Sequence, residues 1–159
     1  MKTIKLFDEK LQIDIPTGFK DASSDYIRKH YGNGVQPQVV MVEEKEGVTI
    51  SISYLKEEIE ESNLLKEIKK YGVLYYRILP GFEQFGVAER EINGHRYVSM
   101  QYKSFALARD LYNFMVMGSL EGHMLLMQFH CTYREYEKWR PVFLEVTESL
   151  KLLTAAPIN

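Results

Sequence analysis

Along residues 48–54 apolar and polar side chains alternate, with Val48, Ile50, Ile52 and Tyr54 set against Thr49, Ser51 and Ser53. A period of two predicts a strand with one buried face and one polar face. "QVVMVEE", upstream of Glu46-Gly47, reads as its neighbouring strand. "LQIDIP" at 11–16 reads as a short strand stopped by Pro16-Thr17-Gly18. "DYIRKHYGNGVQP" at 25–37 reads as a helical turn running into a glycine-rich loop.

The period then changes. In "SNLLKEIKKYGVLYYRILPG", Leu64, Ile68, Tyr71, Tyr75 and Ile78 recur at four, three, four and three, one stripe of a helix over about 62–79. Ser62 is the expected N-cap, and Leu79-Pro80-Gly81 the stop, because proline disfavours helical geometry before it. A second stripe, Tyr136, Trp139, Phe143, Val146 and Leu150, predicts a helix over about 133–152. Thr132 and Glu135 have capping-box spacing there, and Pro141 either kinks the helix or sits in the first turn of its main segment.

Between the two helices the chain reads as antiparallel strands. Asn93-Gly94 is a strong two-residue hairpin signal, followed by the strand "RYVSMQYKS" and a loop around "FALARD". Next comes "YNFMVMGSLEGHMLLMQFHC", which gathers a serine, two histidines and the lone cysteine. If Glu121-Gly122 is its turn, Leu120 pairs with His123, and alternation sorts the side chains onto two faces. One carries Tyr112, Phe114, Val116, Leu120, His123, Leu125, Met127, Phe129 and Cys131. The other carries Asn113, Met115, Met117, Ser119, Met124, Leu126, Gln128 and His130. Ser119 and His130 share a face but stand six rungs apart, roughly 20 Å at the strand rise, out of reach for a nucleophile and its base. His130 and Cys131 point to opposite faces, which excludes the simplest Cys–His dyad. The stretch reads as a sheet hairpin.

Composition narrows the chemistry. The chain has 159 residues, 45% of them apolar and 26% charged, with one cysteine. It reads as one unit over 1–159, large enough to bury a core without disulfide or metal. A net charge of −2 exerts no general pull toward nucleic acid or anionic lipid. No apolar leader opens the chain and no run approaches 18 apolar residues, so neither export nor membrane insertion is expected. With a cysteine that cannot form an intrachain disulfide, the expected address is the cytoplasm. No His/Cys spacing matches a zinc site. "GSLEG" has its serine one position early for a nucleophile elbow, and "YGNG" lacks the Lys-Ser/Thr of a phosphate loop. His95 and His123 read as solvated turn residues, Cys131 as a small buried hydrophobe. No catalytic residue, metal or cofactor is expected.

The order of these elements resembles the PsbP-like superfamily. Besides that order, "IPTGF" with Pro16 and Phe19, Asn93-Gly94, Trp139-Arg140-Pro141 and Ser149-Leu150 carry the resemblance. The superfamily includes the photosystem II extrinsic protein, the Mog nuclear-import factor that binds Ran, and bacterial relatives such as DcrB and type VI secretion effector chaperones. The resemblance implies an α/β/α sandwich with a central antiparallel sheet, and a group better known for binding proteins than for catalysis.

The expected fold is therefore α+β, a sandwich with two main helices on a central antiparallel sheet. The expected function is a non-enzymatic cytoplasmic protein-binding or adaptor module, chaperone-like, with a protein partner. Met115, Met117, Met124 and Leu126 form an adaptable cluster, which is either core beneath a helix or the floor of a groove for an apolar partner segment. The alternative is a small-ligand binder or enzyme using loops 26–37 and 103–110, where His30, Tyr31, Lys103, Arg109 and Asp110 supply polar groups. Convergence of those groups on one pocket separates the two readings.

Overall fold

The alternating segment forms the long strand β5 (Val48–Glu58) near the middle of the sheet, in a computed structural model that describes residues 1–153. Before it come β1 (Lys2–Leu6), β2 (Leu11–Ile15), β3 (Lys20–Asp21), the short helix α1 (Ser24–Tyr31) and β4 (Val39–Glu43). After it come α2 (Leu64–Ile78), β6 (Glu83–Ile92), β7 (His95–Ala106), β8 (Arg109–Leu120) and β9 (His123–Thr132). The helix α3 (Tyr136–Glu148) and β10 (Lys151–Leu152) follow. Seven strands form one antiparallel sheet in the order β3-β4-β5-β9-β8-β7-β6, and β1-β2-β10 form a small second sheet. β9 is thus inserted between β5, far from it in sequence, and its hairpin neighbour β8, pairing His130 with both Thr49 and Asn113.

Strand alternation builds two cores. On one face Ile50, Ile52, Phe114, Val116, Met127 and Phe129 pack under α3 and the small sheet, which contributes Leu11, Ile13 and Ile15. Phe143 at its centre stacks on Phe129 with ring centroids 4.8 Å apart. On the other face Val98, Met100, Met115, Met117 and Met124 pack under α2 through Leu64 and Ile68. Each such side chain, fully buried, contributes roughly 1.5–3 kcal/mol, so both helices are held by burial rather than by intrinsic propensity. The arrangement is the expected α+β sandwich.

Several local expectations need correction. Both long helices are entered through a 3₁₀ turn, Glu61–Asn63 and Tyr133–Glu135, which displaces the caps. Ser62 lies inside the first turn and Thr132 makes no side-chain cap bond. Glu61 instead reaches across to the sheet, accepting from the Arg96 backbone N–H at 2.6 Å and facing His95 Nδ1 at 2.9 Å. Ile78 is exposed, because the inward stripe of α2 passes from Tyr75 to Leu79 and Phe82. Pro141 sits in the helix interior, its ring on the solvent side. The segment around "FALARD" is not a loop: β7 and β8 run on to a two-residue turn at Leu107-Ala108, both at positive φ.

Candidate functional site

The two faces of the β8–β9 hairpin are as alternation predicts, and α2 decides the fate of its methionines. Met115, Met117 and Met124 are fully buried beneath that helix and Leu126 is half-buried against it. Burial makes this cluster core, and the depression of about 310 Å³ that opens beside it, lined mainly by charged side chains of β5 and α2, reaches only Met124 of the four. Ser119 donates to the Ile59 carbonyl at 2.7 Å, a structural bond six rungs along the hairpin from His130. Cys131 is sealed in the opposite core, where burial first, then Glu135 and Glu46, pushes its thiol up to about 12. Such a thiol stays protonated and is a poor nucleophile.

The five loop candidates are divided by strand parity. By parity along β8, Arg109 is on the α1 side and Asp110 on the α3 side, although Arg109, at the start of the strand, also borders a depression shared with Asp110, Glu46 and Glu135. Asp110 faces Lys103 at 3.7 Å, and the Lys103 ammonium lies 5.0 Å above the Tyr133 ring, so both belong to the α3 side. Tyr31 ends α1 with its hydroxyl shut away from water and unpaired, and burial raises its pKa. His30 and Arg109 do converge, on a depression of about 530 Å³ between α1 and the ends of β8 and β9. His130 joins them there. In His30, Nδ1 faces the Tyr26 carbonyl at 2.8 Å and the ring stacks on Tyr26 at 3.8 Å. The Tyr26 hydroxyl in turn pairs with Thr49 at 2.7 Å, which fixes α1 to the sheet. Burial, with the like charges of His30 and Arg109, holds the His130 ring down at about 4.

A second feature escaped alternation altogether. The outer side of α2 is apolar as well: Val73, Leu74, Tyr76 and Ile78 are exposed, Tyr76 by 77%. Between α2 and β6 runs a trough of about 720 Å³, floored by Gly72 and Phe82 and walled by Val73 and Tyr76, with Lys69, Arg77 and Glu83 at its rim. The signal was present in the sequence, because a helix that covers one sheet face needs only one stripe. "VLYYRI" supplies apolar residues on the other side too. Among the described residues no cluster of His, Cys, Asp and Glu has metal-site geometry, and no helix is long and apolar enough to cross a membrane.

Comparison with solved structures identifies the fold. CyanoP, the PsbP of the cyanobacterium Synechocystis sp. PCC 6803, is similar at a TM-score of 0.65 and 13% identity, covering 94% of this chain and 91% of its own. The Ran-binding protein Mog1p of Saccharomyces cerevisiae is similar at 0.59 and 10% identity, covering 96% and 95%. LpqN of Mycobacterium tuberculosis, involved in cell envelope biogenesis, is similar at 0.56 and 15%, covering 89% and 82%. No family model matches the sequence, and no curated protein matches it either. The chain has the PsbP/Mog1-like fold, as its element order implied.

Proposed function

We propose that this chain is a protein-binding module, an adaptor working in the cytoplasm, and that it engages its partner through the outer side of α2 and the trough beside β6. The observation that carries the reading is the exposure of Val73, Leu74, Tyr76 and Ile78 on a helix whose other side already covers the sheet. Contiguous exposed apolar side chains rimmed by charges mark interaction surfaces, and a tyrosine is a favoured anchor at their centre. Support also comes from the Ran-binding protein among the similar structures, which shows that this fold can serve a protein partner. β6 forms the sheet edge beside the trough, but Glu83, Glu89, Arg90 and Glu91 charge it, which disfavours strand addition. The partner is therefore expected to dock by side chains, as an apolar segment lying along the trough.

The test compares Tyr76→Asp and Val73→Asp with the unaltered chain in cross-linking capture from host extract. Both variants should keep the native urea midpoint, because both positions are exposed, and both should lose the same captured protein. Folded variants that retain every partner would overturn the reading.

A further inference from the structure

The basic depression beside α1 lies away from the α2 trough and has no part in the proposed docking. Lys29 and His30 reach it from the last turn of α1, Arg109 from the first residue of β8, and His130 from β9. No aspartate or glutamate is among its lining residues, in a chain whose net charge is −2. A helix C-terminus attracts basic side chains, which accounts for Lys29 and His30. It does not account for Arg109 and His130, which two different strands deliver to the same place. Among the described residues Lys29 and Arg109 form no ion pair, and the His130 ring forms no hydrogen bond. Lys29 and Arg109 bring two fixed positive charges to one concavity, and any proton taken up by a histidine there adds to their repulsion.

We propose that this depression is a binding site for the oxyanion of a small organic molecule, a carboxylate or a phosphate monoester. Arg109 and Lys29 supply fixed positive charge, and the planar guanidinium presents the paired donors that such oxyanions accept. Leu107 and Leu111 border the same depression and give the carbon skeleton of the ligand an apolar wall. His130 is the responsive member. The groups facing it are Tyr26, Lys29 and His30 from α1, Arg109 and Asn113 from β8, and Thr49 from β5. None is acidic, so the empty site keeps the ring neutral. An anion offsets the charges of His30 and Arg109, the ring takes up a proton, and binding tightens as the pH falls.

The experiment follows the Cε1–H signals of His130 and His30 by NMR in the intact chain. Sulfate serves as the probe for phosphate-type anions and benzoate for carboxylates, with sodium chloride holding the ionic strength constant. A saturable shift of His130 with either probe, tighter for sulfate at pH 5 than at pH 7, is the expected result. Saturation by one probe alone identifies which oxyanion the site takes. Arg109→Gln should weaken that affinity about tenfold, the cost of losing a hydrogen bond to a charged group. If Arg109→Gln loses its native spectrum, Lys29→Gln, on an exposed helix turn, serves the same comparison. A non-saturable response to both probes, or the same response to chloride, would overturn the proposal. So would an affinity that survives the loss of Arg109 in a folded variant.

Discussion

A methyl group on Gly118 would stand 2.7 Å from the Tyr97 ring, closer than side-chain carbons approach in folded proteins. Gly118 follows Met117, the partner of Val98, so the Tyr97 ring lies flat across the bare backbone of the neighbouring strand. Neither residue explains itself alone: the glycine interrupts an otherwise apolar strand face, and the ring is buried with its hydroxyl unpaired. Together they fill one site.

Gly118→Ala should therefore destabilise the chain by roughly 1–3 kcal/mol, the usual cost of overpacking a core. Tyr97→Leu in the same background should recover part of that loss, because the ring atoms in conflict are gone. Urea midpoints of the two single variants and the double variant measure this directly. Additive losses would show that the two positions do not share a space.

Met117→Lys should leave no folded protein, since Met117 is fully enclosed beneath α2 and the ammonium would have no partner there. Met117→Leu conserves volume and should cost less than about 1.5 kcal/mol. A folded lysine variant, seen by near-ultraviolet circular dichroism, would mean that α2 does not cover this face.

Cys131 should be silent toward Ellman's reagent at pH 8 in the native state and react promptly in urea. Its pKa, pushed up to about 12, and its complete burial both withhold the thiolate. Rapid labelling of native protein would place the thiol at the surface.

His130 stays neutral in the folded chain until the pH nears about 4, whereas a solvated histidine takes its proton near 6.5. As the pH falls the unfolded state protonates first, so stability fully present above pH 6.5 is lost between there and about 4. The loss from this one group is on the order of 3 kcal/mol. His130→Gln should flatten that part of the curve of urea midpoint against pH. An unchanged slope would assign the acid limb to other groups.

Replacing Leu107-Ala108 by Asn-Gly should stabilise the β7–β8 hairpin by about 1 kcal/mol. Both native residues are held at positive φ, 53° and 63°, a conformation that their Cβ atoms resist and that asparagine and glycine accept. Thermal unfolding of the paired substitution reads the gain, and a lower melting temperature would refute it.

That turn also explains why half of the basic depression was invisible in the sequence. Asn93-Gly94 and Glu121-Gly122 announce their hairpins by composition, and both form as read. Leu107-Ala108 carries no turn chemistry, so residues 103–110 read as a loop, and a loop assigns no face to Arg109. Once β8 starts at Arg109, the parity that separated His130 from Cys131 sets Arg109 on the side of His130. The methionine face was legible for the opposite reason: β8 and β9 alternate without interruption on either side of a recognisable turn. β1 was missed because a strand at the edge of a small sheet needs little apolar signal, and "KTIKL" shows only two apolar positions. β10 reads as the end of the second helix, which stops at Glu148 so that Lys151 and Leu152 pair with β2.

The insertion of β9 between β5 and β8 has a consequence in time. A ribosome emits β3, β4 and β5 as one antiparallel group and β6, β7 and β8 as another, with about fifty residues of chain separating β5 from β8. Until His123–Thr132 emerges, neither half can complete the sheet, and the edges of β5 and β8 both stand open. The strand that joins them also brings Met124 to one core and Met127 and Phe129 to the other. Both hydrophobic layers therefore close late in synthesis and together, through a long-range pairing of the kind that makes folding slow. A nascent chain truncated before residue 123 carries two unpaired sheet edges, so it is this intermediate, rather than the finished molecule, that most needs protection from aggregation.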